Sequence, residues 1–151
     1  MSALLLVIAS GTLLWTAITD FREFRIRNDQ VLLLAALYFA YAFASGSYVA
    51  MPWNIGFALL IGAASLLSYW LKQMGGGDTK LLTAAALWTG PSSAPVFAIL
   101  LAVFVALHYA AAKLGWVTSK RSPAGTRLPL APSVAAALLG VFVTGYLAQV
   151  R

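Results

Sequence analysis

Four carboxylates occur in the 151 residues: Asp20, Glu23, Asp29 and Asp78. Two of them sit where an apolar run meets polar chain. Asp20 ends the run Leu4–Thr19, and Asp78 closes Gly75-Gly76-Gly77-Asp78 just before the apolar stretch Leu81–Trp88. Ionisable groups near a bilayer are costly and are candidates for function. Brought together, two carboxylates form an acid/base dyad. The ionised member activates a water, and the protonated member polarises a carbonyl. Like charges at close range resist ionising together, so the pair shares one proton. A low dielectric strengthens that coupling. Such chemistry needs no metal, cofactor or covalent intermediate.

The composition narrows the alternatives. With no cysteine, thiolate catalysis, disulfides and cysteine-rich zinc sites are excluded. One histidine and four carboxylates are a poor basis for a dedicated metal cage. The chain is 62% hydrophobic and 9% charged, with a mean hydropathy of +0.87. The expectation is a polytopic membrane protein with a single domain, residues 1–151, and no separate soluble part. The net charge of +6 calls for no nucleic acid, because the basic residues cluster between apolar runs, where they set topology. The first run lacks a basic n-region and a small-residue cleavage site, and reads as a retained helix rather than a secretory signal.

To position the two aspartates, the pattern predicts an all-α membrane protein of six transmembrane helices. They run over Ala3–Thr19, Gln30–Ala44, Trp53–Gln73, Thr79–Thr89, Pro95–Leu114 and Ala131–Gln149. The fourth is short, follows the glycine turn and stops at Gly90-Pro91. Arg22, Arg25, Arg27, Lys72, Lys80, Lys113, Lys120, Arg121 and Arg127 then share one face, leaving Arg151 on the other. The positive-inside rule puts the nine in the cytoplasm and both termini outside. Asp20 and Asp78 fall on the basic face at similar depth. Asp20 is placed at a helix C-terminus and Asp78 at a helix N-terminus, so the helix dipoles assign the charge more often to Asp78 and the proton more often to Asp20.

Both aspartates stand in surroundings that resemble the type IV prepilin peptidase family of membrane aspartyl proteases. In that family the first catalytic Asp precedes Ile-Pro-Asn; here Asp20 precedes Ile26-Arg27-Asn28, with Arg in place of Pro. The second family motif is Gly-x-Gly-Asp, and it reads here Gly75-Gly76-Gly77-Asp78-Thr79-Lys80-Leu81. Pro129-Leu130-Ala131-Pro132 resembles the proline-bearing approach to the family's last helix. The resemblance implies catalytic Asp20 and Asp78 and a prepilin or pseudopilin substrate with a basic leader before a hydrophobic helix. Cleavage is implied at the cytoplasmic boundary of the inner membrane. The chain is similar to the short branch serving tight-adherence (Flp-type) pili or to archaeal relatives. It lacks the paired cysteines of larger members, so proteolysis without methyl transfer is expected.

Supporting roles follow. The three glycines permit φ > 0 or close backbone approach, or form a plain turn. Lys80 biases the dyad's charge or snorkels to the interface. Asn28 caps the second helix. Glu23 is the acidic stand-in for Asp20, and His108 reads as a packed, hydrogen-bonded residue. Trp15, Trp53, Trp70, Trp88 and Trp116 read as interfacial belts. The competing function is a non-enzymatic membrane transporter or assembly subunit, with the aspartates as proton or ion sites or as caps. Carboxylates near the bilayer midplane and repeated halves, which mark transporters, are absent from the pattern.

Overall fold

The computed structural model describes residues 2–114, 120–122, 125–127 and 129–150, with side chains described through 114 and again over 129–145. Its helices are α1 (Ser2–Glu23), α2 (Asn28–Ser45), α3 (Met51–Trp70), α4 (Gly76–Lys113) and α5 (Ala131–Val150). A 3-10 turn, Ser47–Ala50, leads into α3. Three segments are long and apolar enough to cross a membrane: Ser2–Glu23, Ser47–Trp70 and Gly76–Lys113. Large apolar side chains such as Leu4, Val7, Leu32, Leu59 and Ile99 face outward, as lipid rather than water demands. Two short antiparallel strands, β1 (Lys120–Ser122) and β2 (Gly125–Arg127), depart from the all-helical expectation within the long polar loop.

The fourth and fifth expected helices are both present, joined without a loop into α4 across a kink. Its backbone leaves the helical region only at Gly90, at φ 56° and ψ −177°. Pro91 follows directly, where its missing N–H falls at the start of a new helical segment and costs little. Gly90-Pro91 is therefore the corner at which the first helix stops and the second begins. Neighbours reveal the direction of each half. Along α3, Asn54, Gly62, Ser65 and Tyr69 meet Gly90, Thr83, Thr79 and Gly76 in turn. Along α5, Gly140 meets Leu100 and Ser133 meets His108. Trp88, just before the corner, stacks on Phe142 of α5 at 4.9 Å. The two halves thus run in opposite directions between the same two ends of the bundle. The first, Gly76–Thr89, rises only about 21 Å at 1.5 Å per residue.

Small residues let these helices close in. Gly62 of α3 leaves room for Thr83, and Gly140 of α5 leaves room for Leu100. A Cβ on Gly90 would collide with the Asn54 side chain, in a backbone conformation that other residues rarely adopt. Gly90→Ala is expected to destabilise the bundle by roughly 2 kcal/mol, combining a strained φ with a displaced neighbour; thermal unfolding in detergent measures it. Trp88 is a correction to the expected belts. It is buried at 9% exposure, its indole donates to the Leu34 carbonyl at 2.9 Å, and its ring meets Tyr38 and Tyr41. Trp15, Trp53 and Trp70 are exposed on the apolar exterior, and Trp116 lies outside the described residues.

Candidate active site

Asp20 lies inside α1, one turn before its end, not in a loop. The helix stops because Phe24 adopts φ 51° and its N–H returns to the Asp20 carbonyl at 2.8 Å. That single bond is the left-handed helix stop, normally built on glycine. The polar link to α2 is consequently only Phe24–Arg27. Gln30, fully buried, bonds Thr19 through its amide nitrogen at 3.2 Å and accepts the Arg27 N–H at 3.4 Å. It ties the start of α2 to the end of α1.

The Asp20 side chain is 5% exposed, and its Oδ2 accepts the N–H of Ala131 at 3.0 Å. Ala131 opens α5, where the first N–H groups of a helix lack internal partners. Pro132 has none to offer, and the N–H groups of Ser133 and Val134 both reach the Leu130 carbonyl. The first donor of α5 is thereby left for a carboxylate contributed by α1.

Asp78 arrives from the other side. α3 ends at Trp70 with Lys72 at φ 59°; the Lys72 N–H bonds the Tyr69 carbonyl and the Gln73 N–H bonds the Ser68 carbonyl. These paired bonds form a Schellman stop on a lysine rather than a glycine. Lys72→Gly is expected to relieve this strain and stabilise the protein by roughly 1 kcal/mol, read as a raised unfolding midpoint. The glycine triplet then starts α4. None of its three residues has positive φ, so the expected conformational freedom is not what they supply. They supply space. A Cβ on Gly75 would lie 2.9 Å from Asp78 Oδ2, one on Gly76 3.3 Å from the Tyr69 ring, and one on Gly77 3.1 Å from Ile26 Cβ.

Asp20, Asp78 and all three glycines line one cleft of about 530 Å³. Phe24 and Lys72, the two strained stops, line it too, together with Arg25, Pro129 and Leu130. Two acids and two bases thus face the same space. The helix-end argument for the proton changes here. Asp78 sits in the first turn of α4, and Asp20 receives a donor from the first turn of α5. Both carboxylates now meet a helix N-terminus, and the dipoles no longer separate them.

Other expected site residues fall beside this cleft. The Lys80 ammonium donates to Asn28 Oδ1 at 2.9 Å. Asn28 is the first residue of α2 rather than its cap, a place taken by Arg27. This pair lies at the mouth of a separate groove of about 460 Å³ between α2, α3 and α4, walled by Val31, Leu32, Ala35, Ala58, Ala84 and Leu87. Glu23 faces a third hollow with Asn28 and Lys80 and does not line the cleft. Asp29 forms an exposed two-bond pair with Arg27, at 3.1 and 2.9 Å. That pairing holds the Arg27 guanidinium above its ordinary pKa. At full exposure such a pair adds little stability.

Sequence reasoning missed Phe24, Lys72 and the Ala131 N–H. The proline-bearing approach to α5 marked the right place, but its part in holding Asp20 is a backbone contact. The sequence model of the type IV leader peptidase family matches residues 7–111. No curated protein and no solved structure matches the chain.

Proposed function

This chain belongs to the type IV leader peptidase family, and from that premise we propose that it is a membrane aspartyl endopeptidase whose catalytic pair is Asp20 and Asp78. The observation that carries the reading is their shared cleft, to which α1 and α4 each bring one carboxylate. A water held between them loses a proton to the ionised member as it attacks the scissile carbonyl. The protonated member donates to the carbonyl oxygen. The proton taken from water then passes to the departing nitrogen as the C–N bond breaks, a hydroxyl of the tetrahedral intermediate returns its proton to the other carboxylate, and the pair is back in its starting state. Any titration of the site belongs to the pair rather than to either residue. Because Oδ2 of Asp20 already accepts the Ala131 N–H, a proton carried by Asp20 rides on its Oδ1.

The substrate is a prepilin or pseudopilin, with a short basic leader ahead of a hydrophobic helix. With one proton shared by the pair, Arg25 and Lys72 outweigh the negative charge of the two acids in the cleft, so net charge does not draw the leader in. The apolar helix supplies that binding. It reaches the site laterally through lipid, and the groove beside Lys80 offers it a seat next to the start of α4. In this reading the chain crosses the inner membrane six times, the halves of α4 counting separately, with the cleft at the cytoplasmic side. The basic residues Arg22, Arg25, Lys72, Lys80 and Lys113 near the cleft end support that orientation. The absence of cysteine supports proteolysis without methyl transfer.

The experiment is purified protein in liposomes with a synthetic prepilin, followed by mass spectrometry of the products. Release of an intact leader at a single bond is expected. A folded protein that cleaves no substrate of this class would leave the scaffold or transporter reading in its place; cleavage that survives loss of both aspartates would remove them as the catalytic pair.

A further inference from the structure

One half-buried titratable group has no part in this chemistry. His108 lies on the second half of α4, shortly before that helix ends at Lys113. Its Nδ1 stands 3.3 Å from the hydroxyl of Ser133, a buried residue. Its Nε2 is buried with no hydrogen-bond partner among the described residues. A packed leucine would fill this space without stranding a nitrogen, so packing alone does not account for a histidine.

What the imidazole touches is the first turn of α5. Ser133 is the third residue of that helix, and Ala131, its first, donates to Asp20. The turn is closed on itself by the N–H groups of Ser133 and Val134 on the Leu130 carbonyl. It is therefore one rigid piece pinned at two points, by His108 from α4 and by Asp20 from α1. Deeper in the bundle, α4 and α5 meet through apolar contacts such as Leu100 against Gly140. Such contacts are non-directional and fix the rotation of a helix poorly. A hydrogen bond is directional and fixes it well.

We propose that His108 is a positioning residue for Asp20: by holding the Ser133 hydroxyl it sets the first turn of α5, and that turn presents the Ala131 N–H to the carboxylate. The proposal rests on the reading of Asp20 as one half of the catalytic pair. His108 touches neither substrate nor the reacting atoms. Its effect travels through Ser133 and a single turn of backbone.

Four variants test this: His108→Ala, Ser133→Ala, His108→Asn and His108→Gln. Two readouts are taken on the full chain in detergent. One is amide hydrogen exchange over Leu130–Val134, with Asp20→Ala as the control that frees the Ala131 amide. The other is kcat and KM for prepilin cleavage. His108→Ala is expected to speed exchange at Ala131 and to lower kcat by roughly ten- to a hundredfold, the scale of a small misplacement of a catalytic group. KM stays near wild type, and exchange in α3 is unchanged. Ser133→Ala does the same, and the double variant is no worse than either, because both break one contact. An Asn amide falls near the position of Nδ1 and a Gln amide near that of Nε2, so Asn restores both readouts and Gln does not. Rescue by Gln alone, or unchanged exchange at Ala131 in an active His108→Ala protein, overturns the proposal. Exchange that responds in a protein whose wild type cleaves nothing sinks the protease reading instead.

Discussion

Asp20→Asn and Asp78→Asn are each expected to reduce prepilin cleavage by roughly 10⁴-fold while the protein still folds and inserts, at the upper end of what a positioned acid or base contributes. Asn keeps the shape of the carboxylate and removes its ability to exchange a proton. At position 20 the amide oxygen can still accept the Ala131 N–H, which the native Oδ2 holds at 3.0 Å. The fold around that contact is therefore retained. The double variant is expected to be no slower than either single one, because residues that act as one unit lose their function once. Single-turnover cleavage in liposomes checks all three. Near wild-type cleavage by either single variant removes that residue from the pair.

Gly75→Ala is the second large effect, and it separates folding from chemistry. The backbone at Gly75 is extended, with φ −76° and ψ 147°, which alanine adopts freely. The added Cβ would meet Asp78 Oδ2 at 2.9 Å, closer than real contacts allow. What yields is the far end of the Asp78 side chain, so stability changes little. The carboxylate, however, leaves its place, and kcat is expected to fall by roughly a hundredfold with KM near wild type. Gly76→Ala and Gly77→Ala press instead on Tyr69 and Ile26, at 3.3 and 3.1 Å. Those neighbours shift by a few tenths of an ångström, and milder losses are expected. Equal losses at all three positions would mean that the triplet acts as a turn and not as a seat for the carboxylate.

What could be read in advance was whatever is written locally. Asp78 stands in a run of glycines before an apolar segment, and its place at the start of a helix follows from those neighbours. Asp20 ends an apolar stretch, and the chain's sparse acids made it conspicuous. The helix stops beside both were not legible, because Phe24 and Lys72 hold conformations that their types disfavour. Such stops are normally built on glycine, and neither position has one; where glycine is abundant, at 75–77, it serves closeness instead. Gly90-Pro91 carries every mark of a terminus and does end one helix; that the next begins at once, with no link between them, was not legible. Trp88 looks like any interfacial tryptophan until α2 supplies the Leu34 carbonyl for its indole. Asn28 and Lys80 were expected at the site and found each other instead. The Ala131 donor joins positions 111 residues apart, and no short-range pattern encodes such a meeting.

That long-range meeting has a consequence for biogenesis. Domains fold as they leave the ribosome, N-terminal parts first. Once α1 to α4 have been inserted, a nascent chain already holds both aspartates, but the clamp on the first one is supplied by α5, which is synthesised after all four. A polypeptide stalled or truncated before α5 therefore carries the acids without the support that orients one of them. An oriented pair thus requires α5 to be made and packed against α1.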